Sequence, residues 1–153
     1  MIQPVRFQLD PSVDGLELVQ RWMEAGTEVG GFLKRLGCRP VEAREGFVRV
    51  VCDIDPGHAN FIGLVHGGVT AAMIDMAGGS AVMSILTPGQ TLVTTDLTMR
   101  FLNAAPSDTL RLEASGTVTY RDARKAVVVA EVVTDTGVVV AQGTVGVAIR
   151  AGR

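Results

Sequence analysis

The chain has 153 residues and a formal net charge of −2, and 47% of its residues are hydrophobic and 20% are charged. This balance is typical of one ordinary globular domain that is long enough to bury a core. The sequence contains no basic block that could neutralise a row of phosphates, and aromatic residues make up only 5% of it. These features argue against a nucleic-acid-binding protein.

The first residues have none of the features of a secretory signal. Residues 1–10 include a proline and charged residues and lack an apolar core of signal-peptide length, so we expect a cytoplasmic protein. The weakly charged run 67–95 contains Asp75 and several glycines, which is typical of a buried helix and not of a membrane span.

Cys38 and Cys52 are the only cysteines of the chain, and they lack the CxxC spacing of a redox or zinc pair. The chain has two histidines that could join them as ligands. We therefore expect buried, reduced thiols and no bound metal.

The first half of the chain predicts a helix, a hairpin and a second helix. Apolar residues recur at near-helical spacing over 14–36, although internal glycines weaken the pattern. Residues 38–44 and 47–54 flank a Glu45-Gly46 turn, which predicts a hairpin. The segment 67–86 is apolar nearly all round, which predicts a helix that is buried on most sides.

The second half of the chain predicts four long strands. Hydrophobicity alternates along residues 91–102, 108–121, 125–134 and 138–150. Their short connections require antiparallel pairing, and the residues at 135–137 suit a tight hairpin.

Strict alternation also assigns faces to individual side chains of these strands. It places Thr94 and Asp96 together on the polar face of the first long strand, where we expect Asp96 to be solvated. In the second long strand, alternation places Leu110 and Tyr120 together on the apolar face.

These elements predict an α+β fold in one domain spanning 1–153. The simplest arrangement is a curved antiparallel sheet of about six strands around a central helix. Such a unit leaves sheet edges and one flat face uncovered, which favours a dimer or a larger assembly. We interpret the Gly78-Gly79 pair as a point of close packing against the sheet or a partner helix.

The segment from Asn60 to Asp75 carries the residues best suited to chemistry. His66-Gly67-Gly68 opens the central helix, where backbone N–H groups lack internal partners and face the positive end of the helix dipole. Glycines there allow a ligand to approach the backbone closely, so a developing oxyanion could be held.

Two polar side chains near that helix start could act with it. Asn60 offers donors and an acceptor for a water or a substrate carbonyl. Asp75 is the only charged residue between His66 and Asp96, and a carboxylate within an apolar helix is costly unless it is paired or faces a cleft. We therefore favour a functional carboxylate at Asp75.

Structural roles for the same residues stay open. The glycines could simply form a turn, Asn60 could be a turn residue, and His66 could cap the helix. Asp75 could be a structural carboxylate bonded to a threonine or to the backbone. The basic cluster at 121–125 could be a solvated turn or could hold phosphates.

The order Asn-x2-Gly-x2-His-Gly-Gly-x6-Asp, from Asn60 to Asp75, resembles the signature of the PaaI-like (phenylacetate-pathway) family of hot-dog-fold acyl-CoA thioesterases. The likeness extends from about residue 46 to residue 150. It implies a hot-dog fold and hydrolysis of an acyl-CoA to a free acid and CoA, with no metal or redox cofactor.

The resemblance also implies roles for five residues. Asp75 matches the acidic residue that acts as nucleophile or general base, and Gly67 matches the residue whose N–H holds the thioester oxygen. Asn60 matches the residue that positions the water or the carbonyl. His66 matches the histidine that supports the loop, and Thr94 matches a Ser or Thr that holds the water.

The family further implies a homodimer or homotetramer with a site shared between subunits, so that Asn60 and Gly67 of one copy would face Asp75 of the other. The chain departs from the family pattern at Asp122-Ala123-Arg124-Lys125, where a glycine often precedes a basic residue. The residues expected to contact the acyl or CoA groups are Phe61, Gly68, Met73, Met76, Arg121, Arg124 and Lys125.

Two other functions remain open at this stage. An acyl thioester dehydratase on the same fold would need a histidine paired with an acid, and His66 with Asp75 could be that pair. A non-catalytic acyl-CoA-binding protein is the second alternative, because a fold does not determine a function.

Overall fold

The computed structural model describes residues 10–29, 31–106 and 108–151. Within these residues, three α-helices and six strands follow one another, with short 3-10 segments at Gly26–Val29 and Pro56–His58. The elements are α1 (Gly15–Ala25), α2 (Gly31–Arg35), β1 (Cys38–Arg44), β2 (Phe47–Asp53), α3 (Gly67–Met83), β3 (Gln90–Phe101), β4 (Arg111–Arg121), β5 (Lys125–Thr134) and β6 (Val139–Ala151).

The six strands form one antiparallel sheet in the order β1-β2-β4-β5-β6-β3. Helix α3 packs against five of them, β2 to β6. The predicted antiparallel sheet of about six strands around a central helix is therefore confirmed. β1 and β3 are the two edges of the sheet.

The N-terminal helix is shorter than its apolar pattern predicts. The chain leaves α1 at Gly26, whose φ of 57° lies in the left-handed region that favours glycine, and it continues as a 3-10 segment before α2. Helix α1 buries Leu18, Val19 and Trp22 against the core, whereas no described side chain of α2 is buried.

Helix α3 fits the prediction closely, since it spans Gly67–Met83 and its inner face supplies the centre of the core. Gly78 lies against the sheet so closely that a Cβ on it would be 2.6 Å from Val145 Cγ2. The interpretation of Gly78 as a close-packing residue is confirmed.

The outer face of α3 is not covered by the described part of the chain. Gly68 and Asp75 are exposed there, and Ala71, Ala72 and Gly79 are half-buried. The helix is therefore buried or half-buried at every position except Gly68 and Asp75, as predicted, and its least covered strip runs along the outer face.

The predicted faces of two strands are wrong after a β-bulge in each strand. The pairing of β3 with β6 shifts between Thr94 and Asp96, so these residues point to opposite faces and not to one polar face. A second shift between Val118 and Tyr120 moves Tyr120 away from the buried face of β4, and its side chain is exposed. Leu110, predicted on that apolar face, precedes β4 and is 74% exposed.

No helix within the described ranges is both long enough and apolar enough to cross a membrane.

Candidate active site

The loop before α3 is held by the side chain of Asn60. Its Oδ1 accepts hydrogen bonds from the backbone N–H groups of Ile62, at 3.0 Å, and Leu64, at 3.1 Å. Asn60 is therefore a turn residue, one of the roles that the sequence left open, and its side-chain oxygen is used in that turn. The Nδ2 group of Asn60 is the part of the side chain that is available as a donor to a ligand.

His66 is the N-cap of α3. Its Nδ1 accepts a 2.8 Å hydrogen bond from Gly68 N, and its own backbone N–H donates to the carbonyl of His58 at 2.8 Å. In the neutral imidazole, the ring proton must then be on Nε2. His66 thus orders the start of the helix, as both the capping interpretation and the resemblance expect.

Gly67 occupies the first position of α3, and its N–H has no acceptor among the described residues. This amide lies at the positive end of the helix dipole and can donate to a ligand oxygen. The ring of Phe101 covers the adjacent Cα, and a Cβ at position 67 would lie 3.0 Å from Phe101 Cζ. Sequence reasoning missed Phe101, because alternation alone did not show that the end of β3 meets the start of α3.

Asp75 lies on the outer face of α3, where it is exposed within one chain. The expectation that it occupies the apolar interior is wrong for a single chain, because that face of the helix is uncovered. Thr94 Oγ1 donates a 2.8 Å hydrogen bond to Asp75 Oδ1. The bulge after Thr94 lets this residue point toward the helix, so Asp75 and Thr94 are brought together as the site prediction requires.

The predicted oxyanion donor, Gly67, and the predicted catalytic carboxylate, Asp75, are far apart within one chain. Gly67 and Asp75 are eight residues apart in α3, which corresponds to about 12 Å along the helix axis. One thioester carbonyl cannot contact both the Gly67 N–H and the Asp75 carboxylate of the same chain. His66 is a further residue away, so His66 and Asp75 of one chain do not form a pair.

The predicted acyl-binding residues differ in their exposure. Phe61 is 100% exposed at the tip of the loop, Gly68 is exposed beside the helix start, and Met76 is half-buried. Met73 is fully buried in the core, so its assignment to an acyl pocket is wrong. It faces the sheet because it lies on the inner side of α3.

The basic residues near the β4–β5 turn are exposed and lie around Asp122. This carboxylate accepts hydrogen bonds from the backbone N–H groups of Arg124, at 2.7 Å, and Lys125, at 2.8 Å. The backbone donors and its own Tyr120 partner hold the pKa of Asp122 below its usual value. Asp122 therefore orders the turn.

The strand register places this turn relative to Thr94. Lys125 pairs with Ala148, which pairs with Val93, the residue before Thr94. The turn is therefore two strands away, about 10 Å in the plane of the sheet. Arg121 instead lines a cleft at the other end of α3, beside Leu86. Arg121 and Lys125 thus line different clefts.

No group of three or more His, Cys, Asp or Glu side chains within residues 10–29, 31–106 and 108–151 is arranged to hold a metal ion.

Comparison with known proteins gives one family match. The family model described as "Thioesterase superfamily" matches residues 62–141, just over half of the chain. The matched segment includes Gly67, Asp75 and Thr94. No curated protein sequence gives a significant match.

Several solved structures share the fold. The PaaI protein of Escherichia coli, from the phenylacetic acid degradation operon, has a TM-score of 0.77 and 23% identity over 88% of this chain and 94% of that one. A thioesterase from Haemophilus influenzae has a TM-score of 0.77 and 18% identity over 84% of this chain and 90% of that one. A hypothetical thioesterase protein with coenzyme A from Streptococcus pneumoniae has a TM-score of 0.68 and 22% identity, with coverages of 76% and 88%. These likenesses establish the hot-dog fold.

Proposed function

Because the chain belongs to the thioesterase superfamily, a family of thioester hydrolases, we propose that it hydrolyses an acyl-CoA to a free acid and CoA, with Asp75 as nucleophile or general base. The observation that carries this proposal is the position of Asp75. It is the only charged residue of α3, it is exposed on an otherwise apolar face, and the Thr94 hydroxyl holds one of its oxygens. The similar S. pneumoniae structure with coenzyme A supports CoA as the thiol half of the substrate.

The proposed site is built by two copies of the chain. Positions 67 and 75 are symmetric about Ala71, so two antiparallel α3 helices that cross near Ala71 place Gly67 of each copy opposite Asp75 of the other. The outer face there carries Gly68, Ala71 and Ala72, which are small enough for helix axes about 8–10 Å apart.

The edges of the sheet support the same assembly. β1 has seven residues, contains Pro40 and has a bulge, all of which discourage further pairing. β3 has twelve residues and exposes the apolar side chains of Val93, Leu97 and Phe101. We therefore place the partner copy on the β3 and α3 side, in a homodimer or in a homotetramer built from such dimers.

In the proposed mechanism, the thioester oxygen accepts a hydrogen bond from Gly67 N–H at the start of α3. The Asp75 carboxylate of the other copy attacks the carbonyl carbon, or takes a proton from a water that attacks it. The negative charge that develops on the oxygen is stabilised by the amide and the helix dipole, and the CoA thiolate leaves. After direct attack by Asp75, a water hydrolyses the mixed anhydride, which releases the free acid and regenerates the carboxylate. Thr94 keeps Asp75 in position, and Asn60 Nδ2 is free to orient the carbonyl or the water.

The remaining predicted contacts belong to substrate binding. Phe61 at the loop tip, Gly68 at the helix start and Met76 beside Asp75 are the candidates for the acyl and pantetheine groups. Arg121, Arg124 and Lys125 are the candidates for the CoA phosphates, because these cations are exposed.

A thiol-release assay over a panel of aromatic, medium-chain and hydroxylated acyl-CoAs tests this function. On the best substrate, Asp75→Asn should lower turnover by roughly 10²–10⁴ and leave binding intact, since the change removes charge and basicity but keeps the shape. Asp75 is exposed within one chain, so the chain should still fold, with an unchanged circular dichroism spectrum.

Asp96→Asn is the matched control. Asp96 also accepts a hydrogen bond from a threonine hydroxyl, that of Thr95 at 2.9 Å, but lies on the opposite face of the sheet. This variant should keep wild-type turnover. Tight acyl-CoA binding with no thiol released by the wild type would instead indicate a binding protein, and an enoyl product from a 3-hydroxyacyl-CoA would indicate a dehydratase.

A further inference from the structure

The two cysteines of the chain face each other in the sheet. Cys38 of β1 and Cys52 of β2 are antiparallel partners, and both are fully buried with free thiols. Pro40, two residues along the edge strand, pairs with Val50 and has no N–H to donate. That pair is therefore of the non-hydrogen-bonded type, and so is Cys38 with Cys52, because the two types alternate along the ladder.

This pairing suits a disulfide. Partners in a non-hydrogen-bonded pair have Cα atoms about 4.5 Å apart. Disulfides span Cα separations of about 4.4–6.8 Å, so the bond requires no large movement of either strand.

Leu36, the residue directly after α2, covers the thiols, and the segment that leads to it is weakly held. The Leu36 carbonyl accepts hydrogen bonds from Cys52 Sγ at 2.9 Å and from His58 Nε2 at 3.0 Å. No described side chain of α2 or of the 3-10 segment before it is buried. Segments with so few buried contacts open locally at small free-energy cost, which gives a small oxidant access to the sulfurs.

We propose that Cys38 and Cys52 are a modification site, at which a peroxide forms a reversible disulfide that lowers the activity of the thioester site. The Cys52 thiolate attacks a peroxide oxygen, the O–O bond breaks, and a sulfenic acid and water form. The Cys38 sulfur then attacks the Cys52 sulfur, the S–O bond breaks, and a second water leaves. The two thiols lose two electrons in total, and hydrogen peroxide gains them.

The order of these steps follows from the effect of each thiol on the pKa of the other. The neighbouring Cys52 thiol raises the pKa of Cys38, an effect to which burial adds, and the Cys38 thiol lowers the pKa of Cys52. Cys52 is therefore the thiol that ionises first and reacts with the oxidant.

His58 links the cysteines to the site. Its Nε2 lies 3.9 Å from Cys52 Sγ, and it shares the Leu36 carbonyl with that thiol. The backbone carbonyl of His58 accepts from His66 N at 2.8 Å, and His66 caps the helix that begins at Gly67. Forming the disulfide removes the thiol donor to Leu36, shifts the Cys52 sulfur beside His58, and so disturbs the start of α3. This second half of the inference rests on the proposed function.

The test oxidises the purified protein with hydrogen peroxide, removes the oxidant, and counts maleimide-reactive thiols in denaturant by mass spectrometry. The count should fall from two to none without a crosslinked dimer on a non-reducing gel, and dithiothreitol should restore it. Acid product measured by chromatography should show turnover reduced by roughly tenfold or more, since a shift of about 1 Å in a site can cost 10²-fold.

Cys38→Ala and Cys52→Ala are the control variants, with folding checked by circular dichroism. Neither can form the bond. Cys52→Ala also lacks the thiol that reacts first, so peroxide should leave its turnover unchanged, whereas Cys38→Ala should stop at the Cys52 sulfenic acid and form no disulfide within the chain. Two reactive thiols after oxidation, or disulfides between chains, would overturn the modification site itself. A disulfide within the chain with unchanged turnover would overturn the link to the site. The thiol count does not depend on thioesterase activity, so failure of the proposed function is distinguishable from failure of this inference.

Discussion

Thr94 of the edge strand β3 donates a 2.8 Å hydrogen bond from Oγ1 to Oδ1 of Asp75 on the outer face of α3. A β-bulge immediately after Thr94 allows this contact. The neighbouring threonine makes the equivalent bond to a different carboxylate on the other face, that of Asp96. Thr95 therefore serves as a control for Thr94 in the same strand.

Thr94→Val removes this hydrogen bond while keeping the shape of the side chain. A hydrogen bond to a charged group contributes about 1.5–3 kcal/mol, so kcat should fall by roughly tenfold or more. Thr95→Val, which removes the bond to Asp96, should leave kcat unchanged. Steady-state kinetics on both variants checks this, and equal losses would show that Thr94 has no special relation to the chemistry.

Gly67→Pro tests the oxyanion donor without breaking the helix. Proline is well tolerated at the first position of a helix, and His66 already has the extended conformation, φ −66° and ψ 132°, that a residue before proline adopts. The change removes the N–H, so kcat should fall by roughly 10²–10³.

Gly67→Ala is the matched control for that variant. Like proline, alanine places a Cβ 3.0 Å from Phe101 Cζ, but it keeps the N–H. It should therefore be clearly more active than Gly67→Pro while sharing any effect of crowding against Phe101. Equal turnover of the two variants, with helix content preserved in both, would remove the Gly67 amide from the mechanism.

Gly78→Ala tests the packing of α3 against the sheet. The new Cβ would lie 2.6 Å from Val145 Cγ2 and 2.7 Å from Val145 Cβ in the fully buried core, and overpacking of this kind costs about 1–3 kcal/mol. Gly79→Ala, whose Cβ would meet Leu92 Cδ1 at 3.9 Å, should not destabilise the fold. Chemical denaturation of both variants should separate them, and equal stability would contradict this close approach.

The fold could be predicted because hydrophobic periodicity distinguishes the two kinds of element. The four alternating segments became β3 to β6, and the segment without alternation became α3. The break between α1 and α2 was harder to predict. The apolar spacing continues past Gly26, but the helical backbone ends there.

The site could be predicted only in part. The motif from Asn60 to Asp75 marks the residues, and the structure shows how His66 and Asn60 order the loop. Thr94 can contact Asp75 because of a β-bulge after Thr94. The sequence gives no sign of this bulge, because the strand has threonines on both faces and a one-residue shift leaves its pattern almost unchanged. The exposure of Asp75 was missed because an apolar helix gives no sign of which side its own chain leaves uncovered.

Subunit complementation tests whether Gly67 of one copy and Asp75 of another act on the same thioester. Asp75→Asn and Gly67→Pro chains, each inactive alone, are coexpressed in equal amounts with different tags. Random pairing makes half the dimers mixed, and each mixed dimer has one intact site of two, so turnover should return to about a quarter of the wild-type value. If the coexpressed protein contains mixed dimers and remains as inactive as the single variants, the site is not shared between copies and the proposed mechanism is wrong.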